Sequence, residues 1–179
     1  NCKRDELKNT ISFINRAFDR IMKRKSFMKV KGYVSKIEVT YNRKRDDFHP
    51  HMHLLFSMES DYFSKKNKDY IKREDLLLNW QSVTGDDSIT QVDIRALKNQ
   101  NDETLIKSIQ EVAKYEAKSF DFGVNQKVFE DFYLGLHSAK TFRYGREFKE
   151  ISNLYDVDEF GIFENYKPKN EKNSVWDYK

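Results

Sequence analysis

The chain has 179 residues, 38% of them hydrophobic and 35% charged, with only 6 Gly and 2 Pro. That balance fits one α+β domain with a sizeable core and argues against a glycine-rich sandwich. No apolar run approaches the roughly 20 residues of a membrane-spanning helix, and the single cysteine, Cys2, excludes an intramolecular disulfide framework and fits a reducing compartment. The net charge of +4 is too modest to demand a nucleic-acid partner by itself.

The chain starts at Asn1 with no signal-like segment and reads as an excised domain. Residues near Asp5 to Lys25 read as a helix, because Leu7, Ile11, Ile14, Phe18, Ile21 and Met22 recur at three- and four-residue steps. Gly32 breaks that pattern, and Tyr33 to Tyr41 reads as a strand with Ile37, Val39 and Tyr41 on one face and Lys36, Glu38 and Thr40 on the other. The basic loop Asn42 to Asp47 then turns the chain into the segment that carries the most information.

Three of the four histidines fall within five residues, in Phe48-His49-Pro50-His51-Met52-His53-Leu54-Leu55-Phe56. Side chains two apart on a strand share a face, so His51 and His53 project together with His49 roughly beside them. Met52, Leu54, Phe56 and Met58 take the core side. Pairing this strand antiparallel to the preceding one brings Glu38 near His51 and His53. Imidazoles on one side of a rigid, apolar-backed strand suit a divalent metal such as Mn²⁺ or Mg²⁺. The third ligand is Glu38 or His49. Pro50 cannot donate to a ladder, so regular pairing starts after it or the strand is an edge.

A lysine-rich loop from Glu59 to Lys68 follows, then a helix near Arg73 to Thr84 with Leu76, Leu77 and Trp80 as its core stripe and Gly85 as its stop. Ser88 to Leu97 reads as a third strand on imperfect alternation. A helix from Asp102 to about Ser119, a helix from Lys127 to Ser138 and a short strand from Lys140 to Tyr144 complete the domain. Residues 1–150 are expected to form it, with 151–179 as an extension or linker. Basic clusters at Arg43-Lys44-Arg45 and Lys65-Lys66 lie near Tyr41, Phe48, Tyr62, Phe63 and Tyr70, a mixture of cations and rings that suits single-stranded DNA. His137, apart from the others, reads as structural or merely exposed.

The helix over 102–119 carries Glu111-Val112-Ala113-Lys114-Tyr115-Glu116-Ala117-Lys118. Glu111, Tyr115 and Lys118 line one face at three- and four-residue spacing, apart from most of the apolar stripe. A phenol near a metal and a lysine is a credible nucleophile, Glu111 can take a proton from a water or hydroxyl, and Lys118 can hold a phosphate oxygen. The competing reading is an ordinary amphipathic surface.

Together, the Glu38 strand, the His-Pro-His-Met-His-Leu-Leu strand and the Ala113-Lys114-Tyr115-Glu116-Ala117-Lys118 helix segment resemble the HUH endonuclease superfamily. More narrowly, they resemble the rolling-circle replication initiators (Rep proteins) of small Gram-positive plasmids. The resemblance covers about Tyr33 to Lys118 and extends weakly to Lys149. It implies a central antiparallel β-sheet flanked by helices, with the metal-bearing strands beside the tyrosine helix. It also implies a site-specific single-strand DNA endonuclease and strand transferase. Tyr115 would attack an origin phosphodiester, leaving a 5′-phosphotyrosyl link and a 3′-OH that primes synthesis, and Glu111 would activate water to end the cycle. The implied partners are single-stranded or hairpin origin DNA and, for the full-length protein, a host helicase and polymerase in the bacterial cytoplasm. The competing readings are a relaxase or transposase of the same chemistry, an origin-binding module without cleavage, and a metalloenzyme that uses water as nucleophile.

Overall fold

The computed structural model describes residues 1–59, 61–64, 70–96 and 125–154. Their architecture is α+β: a three-stranded antiparallel sheet in the order β2-β1-β3, flanked by helices. In chain order the elements are α1 (Leu7–Ile21), β1 (Val30–Asn42), β2 (Asp47–Met58), α2 (Arg73–Thr84), α3 (Gln126–Leu136), β3 (Phe142–Arg146) and α4 (Glu147–Leu154). Short 3₁₀ turns at Arg4–Glu6 and Lys25–Phe27 bracket α1. Among the described residues no helix is long and apolar enough to cross a membrane.

The apolar periodicity of α1 becomes its buried stripe, with Leu7, Ile11, Ala17, Phe18 and Ile21 at most 1% exposed. That stripe lies on the sheet face formed by alternate residues of β1 and β2. One end of the core joins Phe18, Ile21, Phe27 and Val30 to Ile71, Leu76 and Val83, with Met52, Leu54, Phe56 and Met58 packed against them. The other end joins Leu7, Ile11, Ile37, Phe48 and Val128, with Phe132 and Leu136 of α3 alongside. Burying one such aliphatic or aromatic side chain contributes roughly 1.5–3 kcal/mol, so this face holds the sheet in place.

Two arginines from β3 secure α1 further. The Arg143 guanidinium donates to Asn15 Oδ1 at 3.1 Å and pairs with Asp19 on α1. Arg146, at φ 57°, donates to the carbonyls of Phe27 at 2.8 Å and Met22 at 3.0 Å, and also to that of Val30. These are carbonyls at and beyond the end of α1 that have no onward helical partner.

Three expectations change. Residues 88–96 form no strand. Instead Arg73 donates to the carbonyls of Val92 at 2.8 Å and Thr90 at 3.5 Å, while Val92 and Ile94 pack on the core. In α2 the stripe is Leu76, Trp80 and Val83, and Leu77 lies outside it; Gly85 ends the helix at φ 68° as expected. Helix α4 occupies a stretch where no element was expected. Its Phe148 ring sits over Gly32, where a β-carbon would meet it at 3.0 Å. The expected helix over 102–119 lies outside the described residues.

Gly145 is paired with Tyr33 across β1–β3, and the tyrosine ring fills the space a β-carbon would need. That ring cannot retreat easily, because it meets Phe18 edge-on at 5.0 Å between centroids. Gly145→Ala is therefore expected to destabilise the fold by about 1–3 kcal/mol through overpacking, read as a lower midpoint in urea unfolding.

Candidate metal centre

The hairpin of β1 and β2 sets the site. Its register pairs Glu38 with His51, Lys36 with His53 and Thr40 with His49. Paired residues in an antiparallel ladder project to the same side, so these six share the face opposite α1. The turn that fixes this register follows from its sequence. Asn42 Oδ1 accepts from the Lys44 and Arg45 amides at 3.0 and 3.1 Å, an Asx turn. Asp46 takes the left-handed conformation at φ 52°, which Asp tolerates better than most residues. Its carboxylate accepts from the Tyr41 hydroxyl at 2.5 Å.

Strand β2 lies at one side of the described sheet. Phe48 exchanges both backbone bonds with Cys2, at 2.9 and 3.0 Å, so its amide faces away from β1. Pro50, two residues on, points its donorless nitrogen the same way. The proline is thus accommodated within the β1–β2 ladder, opposite Val39.

Glu38 is only 9% exposed, and one of its oxygens, Oε2, meets His51 Nε2 at 3.1 Å and His53 Nε2 at 2.8 Å. A carboxylate withdrawn from water needs charge or donors nearby, and the two imidazoles supply them. One donor atom from each of Glu38, His51 and His53 lies within 4.8 Å of the others, so the cluster could hold a metal ion. The donor chemistry fits, since two imidazole nitrogens and a carboxylate oxygen form a common divalent-metal set. His51 Nδ1 lies 3.4 Å from the His49 carbonyl, so Nε2 is the ring nitrogen that faces Glu38. His51 and His53 remain partly open to solvent, at 36% and 46%, so a ligand can reach the cluster.

His49, the alternative third ligand, lies outside this three-residue set, although its ring is 5.4 Å from that of His51. Burial, and then the neighbouring His51, hold its imidazole below the usual range. Arg43, Lys44 and Arg45 are exposed in the turn. The Arg45 guanidinium is engaged by Asp47 at 2.8 Å and by the Asn1 side chain at 3.2 Å, and Arg45 in turn holds the Asp47 carboxyl below its usual range. Lys65, Lys66, Glu111, Tyr115 and Lys118 lie outside the described residues.

A family model described as "Replication protein" matches residues 1–177. The chain belongs to that family. It is 41% identical over 127 residues to "Protein rep" of Staphylococcus aureus, covering 70% of this chain and 53% of that protein. It is also 36% identical over 148 residues to "Protein rep" of Streptococcus pneumoniae serotype 2 (strain D39 / NCTC 7466), covering 82% of this chain and 46% of that one. The match to a "Replication protein" of Bacillus sp is 29% over 163 residues, 87% of this chain and 69% of that one. The chain thus spans about half the length of the first two relatives. No solved structure matches it. The resemblance to Rep proteins drawn from the histidine strand holds at the level of the family.

Lys36, which the sequence reading placed on the Glu38 face but gave no role, stands directly across from His53. Period-two counting from Glu38 was the signal for it.

If the cluster is a metal centre, Glu38→Ala, His51→Ala and His53→Ala should each lower Mn²⁺ affinity at least tenfold in calorimetric titration. His49→Ala should change it by less than threefold.

Proposed function

We propose that this chain is the nicking part of a rolling-circle replication initiator, a site-specific single-strand DNA endonuclease and strand transferase. The observation that carries the reading is the convergence of His51 Nε2 and His53 Nε2 on Glu38 across a two-stranded ladder, in a chain of the replication-protein family. The family membership also favours replication over the relaxase and transposase readings. Residues 1–150 would form the nicking domain and 151–179 an extension or linker.

Glu38, His51 and His53 would hold the metal. Two imidazoles beside one carboxylate suit Mn²⁺ better than Mg²⁺, which prefers oxygen ligands. When bound, the ion supplies positive charge that polarises a phosphodiester. Tyr115 would be the nucleophile. Its phenolic oxygen forms a bond to phosphorus while the bond to the 3′-oxygen breaks, giving a 5′-phosphotyrosyl link and a 3′-OH. The phenolic proton passes to a nearby base or water, and the departing 3′-oxygen gains one. Lys118 would hold a non-bridging phosphate oxygen, offsetting charge that builds up during the attack.

Once Tyr115 is esterified it cannot attack again. A second cleavage needs another nucleophile, and Glu111, one helical turn away in sequence, would take the proton from a water. Arg43, Lys44, Lys65 and Lys66 would follow the DNA backbone, with Arg45 shaping the turn as well. The origin strand, single or in a hairpin, would be the substrate, and in the bacterial cytoplasm a host helicase would open the duplex while a host polymerase extends the freed 3′ end.

Incubating the protein with single-stranded origin fragments and Mn²⁺ should give a protein–DNA adduct stable in SDS. Cleavage in excess EDTA that matches cleavage in Mn²⁺ would remove the metal from the mechanism. Tyr115→Phe should abolish the adduct, by at least a thousandfold in yield, while single-strand affinity stays within about twofold. Glu111→Ala should still form the first adduct, yet the isolated covalent complex should fail to hydrolyse a second site. Normal release of a second cleaved strand by that variant would exclude Glu111 from termination.

A further inference from the structure

The face that carries the Glu38–His51–His53 cluster continues across all three described strands. Cross-strand pairing sets it out in rows. His51 and Glu38 form one row. His53, Lys36 and Phe142 form the next, and Leu55, Val34 and Tyr144 the one after. Beyond them Phe148 of α4 covers Gly32 and closes that end.

The middle rows have a distinctive composition. Lys36 sits on the central strand, two residues from Glu38, a separation of about 6.5–7 Å. Among the described residues no carboxylate forms an ion pair with it. With a divalent ion in the cluster, the cluster's net charge would be positive even counting the Glu38 carboxylate, so Lys36 beside it would favour an anion lying between the two. On its other side stand Phe142 and Tyr144, whose rings meet edge-on at 5.0 Å between centroids. Val34 and Leu55 supply an apolar floor next to them. All five side chains are half-buried. A phosphate-sized anion thus has a cation and the cluster to bridge, and a flat apolar group has two rings within a strand's width.

We propose that Lys36, Phe142 and Tyr144 form a nucleotide subsite beside the metal cluster, in which Lys36 takes a phosphate of single-stranded DNA and the two rings take the adjoining base. The proposal rests on the nicking function above for its ligand class, but not on any covalent step. It adds a place for one nucleotide next to the one at the metal, along the sheet face toward α4. Stacking on aromatic rings tolerates any base, so the subsite contributes affinity and alignment more than sequence choice.

The test uses a fluorescein-labelled nine-residue oligo(dT) and an abasic strand of the same length, with binding followed by anisotropy in Mn²⁺ over a range of salt. Lys36→Met should weaken binding to both strands about tenfold and reduce the salt slope by about 0.7, the contribution of one phosphate contact on a single strand. Lys36→Arg should restore most of that loss. Tyr144→Leu and Phe142→Leu should weaken oligo(dT) binding several-fold to tenfold with the salt slope unchanged, and leave the abasic strand unaffected. Tyr144→Phe should retain wild-type affinity. Mn²⁺ affinity of Lys36→Met should not fall below that of the wild type, which separates this subsite from the cluster.

Wild-type affinity and salt slope in Lys36→Met would overturn the assignment. So would ring variants that melt several degrees lower yet bind unchanged, since the chain itself would then cover the rings. Absence of a covalent adduct in the wild type would overturn the nicking function while these binding differences still stood or fell by themselves.

Discussion

Everything at the histidine face depends on the register of one antiparallel ladder. Glu38 meets two imidazoles because Ile37 pairs with Met52 and Glu38 with His51. Slipping the ladder by one residue would turn every side chain of one strand to the opposite face, putting histidines into the core and Met52 into solvent. Several independent features oppose that slip. The core holds Ile37, Phe48 and Met52 on the α1 side. The turn is held by Asn42, Asp46 and Tyr41. The bridge between Cys2 and Phe48 fixes β2 from its other side. Each of these positions the Glu38–His51–His53 cluster.

Division of labour between the two sheet faces explains why the cluster can be polar at all. One face buries the stripes of α1, α2 and α3, and that burial supplies the stability. Among the described residues the opposite face mixes Lys36 and the histidines with the half-buried Val34, Leu55, Phe142 and Tyr144. Glu38 there is nearly buried and would be costly alone. The two imidazoles that contact it lower that cost and at the same time fix its side chain. A carboxylate held in this way is fixed in orientation by its two imidazole neighbours, the kind of pre-organisation that a metal site needs.

The hairpin was legible in the sequence because its signals agree: period-two alternation, a polar turn and a histidine spacing that only a strand makes meaningful. Helix α1 and the Gly85 stop were legible for the same reason. Residues 88–96 misled because Val92 and Ile94 are spaced as in a strand, although they bury without a ladder and the carbonyls of Thr90 and Val92 are taken by Arg73. No local pattern announces a long-range arginine. Helix α4 was missed because it is only eight residues long and its partners, among them Gly32 under the Phe148 ring and Lys31 paired with Glu147, come together only once β1 is in place. The choice between Glu38 and His49 was open for a similar reason. Both are plausible by chemistry and spacing does not choose between them; in the structure it is Glu38 Oε2 that lies among the two imidazole nitrogens.

The proline in the middle of the histidine strand has one more effect. A strand at the side of a sheet offers its outward amides and carbonyls to any passing chain. On β2 the outward positions run through Phe48 and Pro50. The first is satisfied by Cys2, and the second has no hydrogen to give. A foreign strand trying to zip along β2 from the turn end would find its first rung taken and its second missing. Along the described part of β2, the two outward positions nearest the turn therefore offer a foreign strand no free amide.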